Sequence, residues 1–285
     1  MAEYWLDEDL TTGSNDGSSA ANAWQAWATM IAGVGTMAED VTVNIASTGT
    51  VALSRSLSGI TRGGYTLALR GYNNCILLDT TGYTAALTAP NIGTGHLDVR
   101  DIKFLLGANV SGFSLAADYI GTATGRNLVS YGNGVVAANG FNNLSAVDWT
   151  LEHCIAVNVT YAFRISAIGD MMVTNCYGSA ATQVFYVSGT GAFTLTTCAS
   201  SDTTGSAGLQ SIAFSTANFT SVTIGAEDFH LVSGSALIGV GTVTSDTLDF
   251  NGDTWGTPRD LGIYTYSTGS TGIPILRRRR MLMAK

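Results

Sequence analysis

Three short segments in the middle of the chain decide the fold: Trp149-Thr-Leu-Glu-His-Cys154, Met171-Met-Val-Thr-Asn-Cys176 and Phe193-Thr-Leu-Thr-Thr-Cys198. Their cysteines follow one another at intervals of 22 residues. Similar segments lie further out in steps of 26 residues, at residues 97–102, 123–128 and 219–224. Six related segments therefore recur with a mean period of about 24 residues. Periods of about 20–50 residues are typical of solenoids and propellers.

Apolar and polar residues alternate within these segments. In the first of them, for example, Leu97 and Val99 flank Asp98. A period of two predicts a strand that buries one face. A second short apolar strand is predicted in the units, at residues 113–115, 135–136, 163–165, 185–187 and 212–214. Because the units contain no helix and are shorter than the roughly 40 residues of a propeller blade, the repeat predicts a coil of parallel strands.

The last two positions of each segment carry the most specific signal. The fifth position is polar throughout, with Asp101, Asn127, His153, Asn175, Thr197 and Thr223. Several of these residues tolerate a left-handed backbone, and side chains stacked about 4.8 Å apart can hydrogen-bond along the coil. We call this column the polar ladder.

The sixth position is apolar, and it places Cys154, Cys176 and Cys198 in one column with Ile and Leu residues. This setting predicts buried thiols that act as small hydrophobic side chains. A metal or redox cluster is the alternative, but the cysteines of structural zinc sites usually come in pairs about two to four residues apart.

The polar ladder resembles that of right-handed parallel β-helix proteins of the pectin-lyase type, and Leu97-Asp-Val-Arg-Asp-Ile-Lys-Phe104 is similar to a rung of that family. Tyr4-Trp-Leu-Asp7 near the start, and Asp249-Phe-Asn-Gly-Asp253 near the end, resemble the ends of bacterial and phage members. The resemblance implies an all-β, single-stranded right-handed parallel β-helix (a solenoid) with an N-terminal capping helix and a C-terminal extension.

This architecture predicts three regions. Residues 1–40 form an N-terminal strand and a capping helix over 22–38, where Trp24, Trp27, Met30 and Ile31 lie at helical spacing. Residues 41–266 form the parallel β-helix with its closing segment, and residues 267–285 form a basic tail.

The charge of the chain is distributed unevenly. The net charge is −8, from 13 basic and 21 acidic residues. Five of the basic residues fall within the last nine, so the body is strongly acidic and is not expected to bind nucleic acid over most of its surface. The tail is predicted to bind a partner through basic and apolar side chains: Arg277, Arg278, Arg279, Arg280, Met281, Leu282 and Lys285.

No catalytic residue, metal or cofactor is predicted. Hydrolases that share the resemblance use clustered carboxylates with patterns such as Asp-Asp or Gly-His-Gly, and neither pattern occurs. A lyase needs a basic residue with calcium-binding acids, which Asp98, Arg100, Asp101 and Lys103 could supply, although a solvated mixed-charge face is the simpler interpretation.

Two further patterns have a structural and a functional interpretation. His153 and Glu152 could act as an acid–base pair, or His153 could be a ladder member while Glu152 points outward and pairs with Arg126. The aspartates of Ser14-Asn-Asp16-Gly and Asp249-Phe-Asn-Gly-Asp253 could bind an ion, or they could simply form turns.

The start of the chain is acidic, unlike a signal peptide, and no apolar run approaches the roughly 18 residues of a membrane span. We therefore expect a protein made in the host cytoplasm, and the resemblance to phage β-helix proteins implies its incorporation into a virion. The first hypothesis is a structural phage component, a capsid decoration (cement) protein that binds the major capsid protein or another virion protein as a homotrimer. The alternatives are a polysaccharide-binding or polysaccharide-degrading tailspike, which a carboxylate cluster at an intersubunit groove would favour, and a surface adhesion module.

Overall fold

The computed structural model describes residues 1–72, 74–81, 85–223 and 226–266. Its helical elements are a 3₁₀ turn at Ala20–Asn22 and helix α1 at Trp27–Val34. In chain order its strands are β1 (Ala2–Leu6), β2 (Val41–Ile45), β3 (Thr48–Ala52), β4 (Arg55–Ser56), β5 (Leu67–Gly71), β6 (Ile76–Asp79), β7 (Ala85–Ala89), β8 (His96–Arg100), β9 (Lys103–Leu106), β10 (Ser111–Leu115), β11 (Thr122–Arg126), β12 (Val129–Gly132), β13 (Ala137–Asn143), β14 (Trp149–Glu152), β15 (Ile155–Ile165), β16 (Met171–Thr174), β17 (Tyr177–Val187), β18 (Phe193–Thr196), β19 (Ala199–Ser200), β20 (Phe219–Ser221) and β21 (Asp228–Leu231).

Two parallel sheets form the body. The first sheet has the order β1-β2-β5-β8-β11-β14-β16-β18. The second has the order β3-β6-β9-β12-β15-β13-β10-β7-β4, and β17 and β19 extend it from β15. Each turn of the chain supplies one strand to the first sheet and then two runs to the second, so successive turns stack into a β-solenoid of about six turns. The predicted parallel β-helix is confirmed.

The predicted columns of the repeat lie in register across the first sheet. Leu97, Ala123, Trp149, Met171 and Phe193 are direct partners on neighbouring strands. Trp149, at the middle of this column, is fully buried, whereas the alternating Met172 and Thr194 point outward and are exposed. The alternation in the sequence therefore reports which face of each strand is buried.

The second sheet corrects two of the predicted strands. Its buried aromatic column is Phe113, Phe141, Phe163 and Phe185, with the last three rings stacked at centroid distances of 5.4 and 5.0 Å. The predicted strand at 135–136 is wrong, because a turn at Asn133 and Gly134 delays β13 and leaves both valines exposed. The predicted strand at 212–214 is also wrong, since no strand includes these residues.

The prediction of a sixth repeat at 219–224 is wrong as well. β20 pairs antiparallel with β21 in a separate two-stranded sheet. Phe219 is buried there against Tyr177 and Phe229, in a second hydrophobic cluster on the outer face of the second sheet. Thr223 therefore does not join the polar ladder, and Ile224 lies outside the described residues.

The N-terminal helix is shorter than the predicted 22–38. α1 begins only at Trp27 and ends at Val34, because Gly35 follows with a left-handed φ of 48° and its N–H bonds to Ile31. Trp24 is buried outside the helix. Trp27, Met30 and Val34 belong to the buried cluster that fills the coil, so the helix covers apolar residues of the first turns.

All four cysteines are free thiols, and each has a fully buried side chain. Cys154, Cys176 and Cys198 lie on successive turns, and the Cys154 N–H donates to the Cys176 Sγ at 3.1 Å. Burial raises the pKa of Cys75 to about 12 and that of Cys176 well above its ordinary value. Cys75 belongs to the same column. The residue that follows it, Ile76, is in register with Lys103, and Lys103 is in register with Val129 on the next turn.

We expect these thiols to resist labelling in the native protein. The thiolate is the reactive species, and both burial and the raised pKa suppress it. Measuring incorporation of a maleimide by mass spectrometry should give no label before unfolding and four labels in denaturant. A Thr194→Cys variant, exposed on β18, provides the reactive control. Rapid labelling of Cys154, Cys176 and Cys198 in the native state would contradict the inward-facing column.

Candidate functional site

The polar ladder occupies one corner of the coil and has a left-handed backbone at every turn. The φ angles are 59° at Asp101, 50° at Asn127, 53° at His153, 54° at Asn175 and 50° at Thr197. These values turn the chain sharply from the first sheet into the second, a conformation that Asn and Asp tolerate best among non-glycine residues.

The ladder has one earlier member that the sequence repeat does not predict. Asn74 has a φ of 61° and occupies the same corner one turn before Asp101. Its signal was the fourth cysteine, because Asn74-Cys75 repeats Asn175-Cys176. Three extra residues stand between Arg70, the strand partner of Arg100, and Asn74, and they hide the repeat from a search at constant spacing.

Ladder side chains hydrogen-bond to one another along the coil. The Asn127 Nδ2 donates to the Asp101 Oδ1 at 3.2 Å, and the Asn175 Nδ2 lies 3.1 Å from the His153 Nε2. The Thr197 hydroxyl donates to the Asn175 Oδ1 at 2.6 Å.

The same side chains also bind residues 239–266, which we call the C-terminal segment. Its first part runs back along the ladder. The Asn175 Nδ2 donates to the Thr242 carbonyl at 2.7 Å, and the Asn127 Nδ2 donates to the Leu248 carbonyl at 3.1 Å. The C-terminal segment therefore lies along the side of the coil, where ladder side chains bind the main-chain carbonyl groups of the segment.

His153 is a buried, neutral member of this contact. Its ring stacks on Trp255 at 4.1 Å, and its Nδ1 lies 3.2 Å from the Gly262 carbonyl. Burial, helped by the charge of Arg259, lowers the pKa of His153 to about 3. Glu152 instead lies on the outer face of β14, with its carboxylate 3.1 Å from the Arg126 Nε. The two side chains therefore face different surroundings.

Charged residues on the outer face of the first sheet form a network across three strands. Arg100 pairs with Asp98 on the same strand. Arg126 lies 3.3 Å from Asp98 and 3.1 Å from Glu152 through separate nitrogens. Asp98 is only 9% exposed in this network, so its carboxylate is committed to two guanidinium groups.

The cluster that a lyase could have used is divided between two sheets. Asp98 and Arg100 lie on the outer face of β8, and Asp101 lies at the corner. Lys103 lies beyond the corner on β9, with its amine 5.1 Å from the Phe250 ring centre and 5.8 Å from that of Tyr264. Burial lowers the pKa of Lys103 to about 8.

The turn aspartates bind main-chain and hydroxyl groups. Asp16 accepts from the Ser14 hydroxyl at 2.8 Å and from the Ser18 N–H at 2.9 Å. Asp249 accepts the N–H groups of Asn251, Asp253 and Thr265, and burial raises its pKa to about 6. In the part of the chain that the structure describes, no three His, Cys, Asp or Glu side chains are grouped to hold a metal ion.

A cleft of about 230 Å³ lies where the C-terminal segment leaves the ladder. One wall comes from three turns of the coil and includes Arg70, Arg100 and Asp101. The other wall comes from the C-terminal segment and includes Asp246 and Leu248. The Asn127 Oδ1 is buried beside the cleft and has no hydrogen-bond partner in the described part of the chain. Sequence reasoning could not find this cleft, because its walls are more than 100 residues apart.

A pair of tyrosines forms a second surface feature that the repeat pattern does not predict. The rings of Tyr161 and Tyr186 stack at 4.2 Å on the outer face of β15 and β17. The Arg164 guanidinium lies 5.4 Å from the Tyr161 ring centre and 5.8 Å from that of Tyr186. Their spacing of 25 residues falls close to the repeat period, which is the signal for adjacent turns.

The predicted partner-binding residues lie outside the described part of the chain. These are Arg277, Arg278, Arg279, Arg280, Met281, Leu282 and Lys285. Among the described residues, no helix is both long and apolar enough to span a membrane.

The neutral state of His153 predicts a specific dependence of stability on pH. An unfolded histidine takes up a proton below a pKa of about 6.5, whereas native His153 stays neutral down to about pH 3. Its contribution is therefore complete above pH 6.5 and is lost as the pH falls, by about 2 kcal/mol at pH 5. Urea unfolding at pH 8 and pH 5 measures this loss.

The matched variant is His153→Asn, because Asn occupies the same corner at Asn127 and Asn175. The variant should lose less stability between the two pH values than the parent protein. The raised pKa of Asp249 acts in the opposite direction in both proteins, so the comparison cancels it. An identical pH dependence in the two proteins would show that native His153 is protonated normally.

Comparisons with protein-family models, with curated proteins and with solved structures find no match for this chain.

Proposed function

We propose that this protein is a structural component of a phage virion, a capsid decoration protein that binds the shell through its C-terminal tail. The observation that carries this proposal is the binding of the C-terminal segment along the side of the coil, which fixes the point from which residues 267–285 continue. A decoration protein needs these two properties, a stiff body and an anchor of defined position.

The body is stiff because its interior is continuous. One buried cluster extends from Leu6 near the N terminus to Cys198 in the last turn of the coil. Protein interiors of this kind are close-packed and resist compression. Parallel strands on every turn add main-chain hydrogen bonds along the whole axis.

The exit point of the tail is held by two buried carboxylates. Asp249 accepts the Thr265 N–H at 2.9 Å, and Asp260 accepts the Tyr266 N–H at 2.5 Å. Asp260 also accepts the Gly239 N–H at 2.7 Å, which ties the two ends of the C-terminal segment together. The basic residues begin at Arg277, 11 residues beyond Tyr266.

Such a tail suits an acidic groove between subunits of the major capsid protein or of another virion protein. The arginine fork pairs bidentately with carboxylates and is weakly hydrated, which favours interfaces. A homotrimer would present three tails together and strengthen attachment through effective concentration alone. We propose a virion location for the assembled protein on the same grounds.

Deleting residues 277–285 should leave the β-solenoid folded and abolish incorporation into particles. The strands of both parallel sheets pair with one another within residues 2–200, so circular dichroism should not change. Occupancy on purified particles is the measurement.

A matched control replaces Arg277, Arg278, Arg279 and Arg280 by lysine, which keeps the charge and removes the planar fork. Occupancy should fall for this variant, though less than for the deletion. Wild-type occupancy of the truncated protein would disprove the anchor.

The stacked tyrosines support a second candidate function, binding of a host polysaccharide. Tyr161 and Tyr186 present aromatic surface beside the Arg164 guanidinium on the outer face of the second sheet. Aromatic rings pack against apolar ligand surfaces while neighbouring polar groups orient the ligand. Binding here would suit a tailspike. No structural observation favours the surface adhesion module, which stays a prediction.

We expect binding at most, without cleavage, because Asp98 is committed to two arginines and Lys103 is directed to aromatic rings. Incubation with host polysaccharide should release neither reducing ends nor unsaturated sugars. Retardation in an affinity gel, lost in Tyr186→Ala and kept in Thr196→Ala, would establish the second candidate. Sugar release abolished by Asp98→Asn or Asp101→Asn would instead make the protein an enzyme.

A further inference from the structure

The cleft lies between ladder members on one wall and the C-terminal segment on the other. At Asn127 and Asn175, the ladder amide binds a main-chain carbonyl of that segment. At Asn175 the match is two-sided, because its Oδ1 also accepts the Thr242 N–H at 2.9 Å. The next members toward the N terminus, Asp101 and Asn74, line the cleft instead. The chemistry of this corner is therefore that of a surface that binds extended polypeptide.

The cleft favours positive charge despite its two arginines. Arg100 is held by Asp98, and although burial lowers the pKa of Arg100, the carboxylates of Asp98, Asp101 and Asp246 raise it overall. Among the described residues of the lining, Arg70 is the other cation. Three carboxylates line the same cleft, those of Asp101, Asp246 and Asp249.

The lining also contains groups that suit a mixed basic and apolar peptide. The Asn127 Oδ1 is a buried acceptor without a partner among the described residues. Leu248 leaves 46% of its surface exposed at the rim, beside the Phe250 ring. Arginines would meet acceptors here, and methionine or leucine side chains would meet an apolar rim.

One segment of the same chain has this chemistry and begins beside the cleft. The Thr265 N–H binds Asp249, which lines the cleft, so the described chain ends within two residues of it. Nineteen further residues follow, with four arginines between Leu276 and Met281. The 11 residues from Tyr266 to Arg277 can span at most about 36 Å, which allows the chain to turn back.

We infer that the cleft is the intramolecular docking site of residues 267–285. The docked tail places arginines against Asp101 and Asp246, and its apolar residues against Leu248. A binding partner must then displace the tail from the cleft before the partner can bind the tail. This self-docking limits attachment to partners with a stronger acidic surface, and it holds whether or not the partner belongs to a virion.

The test is disulfide formation between two introduced cysteines in the full-length protein. The native thiols are buried and should not compete in this reaction. Ala284→Cys labels the tail without removing a charge. Thr247→Cys provides the partner at the cleft, and Thr194→Cys provides the matched control on β18. Thr194 lies four strands from Asp98, about 19 Å along the sheet. The 18 residues from Tyr266 to Ala284 can span about 60 Å, so an undocked tail reaches both cysteines.

We expect the Thr247→Cys pair to oxidise at least about 10-fold faster than the Thr194→Cys pair, because docking raises the effective concentration at the cleft. The bond should form within monomers, and added salt should slow it. Equal rates for the two pairs would overturn the proposal. Cross-links found only between molecules would also overturn it, since the cleft would then bind the tail of another copy.

Charge variants decide between docking of the basic tail and capture of an anion. Asp101→Asn preserves the left-handed corner, because Asn occupies that corner at Asn127 and Asn175, and it should slow the cleft disulfide several-fold. Asp246→Asn provides a second such variant. Arg70→Gln should leave the rate unchanged or raise it. Slowing by Arg70→Gln without slowing by the aspartate variants would overturn the proposal. Protection of the native cysteines from labelling reports that each variant is folded.

Discussion

The structure depends on one backbone constraint, the left-handed corner that the polar ladder repeats on every turn. A residue with φ near 50–60° redirects the chain from the first sheet into the second at Asp101, Asn127, His153, Asn175 and Thr197. Because the corner recurs at the same point of each turn, the strands on both sides stay in register and the apolar columns remain inside. Even the threonine at 197, which favours this conformation less than Asn, adopts it because the turns below impose the register.

The ladder explains why the C-terminal segment lies where it does. A polar corner exposes donors and acceptors on the side of the coil, and burying them without partners would be costly. Thr242, Leu248 and Gly262 supply carbonyl groups to Asn175, Asn127 and His153. The same side chains thus stabilise the stack along its axis and bind a second layer across it. Beside Asp101 and Asn74 the same surface forms one wall of a cleft, and the C-terminal segment forms the other.

The sequence predicts what recurs at short range and misses what depends on distant contacts. Alternation around Trp149, Met171 and Phe193 was sufficient to assign the parallel coil and its inward columns, because each turn repeats the same local requirement. Phe219 followed the same pattern but pairs with β21, since packing against Tyr177 outweighs a repeat that has no next turn to join. The contact of His153 with Gly262 joins residues 109 apart, and no periodicity reports it.

The two edge strands of the first sheet differ in how their outer edges are covered. At β1 the outer edge is covered, because the Trp5 N–H binds the Gly17 carbonyl at 3.0 Å and the Trp24 N–H binds that of Trp5 at 2.9 Å. Among the described residues no strand pairs with the outer side of β18, where the inward-facing Phe193 and Leu195 remain partly exposed. The residues that could have closed this edge lie along the ladder instead. Local opening should therefore start at β18, while the flank that carries the cleft and the root of the tail stays ordered.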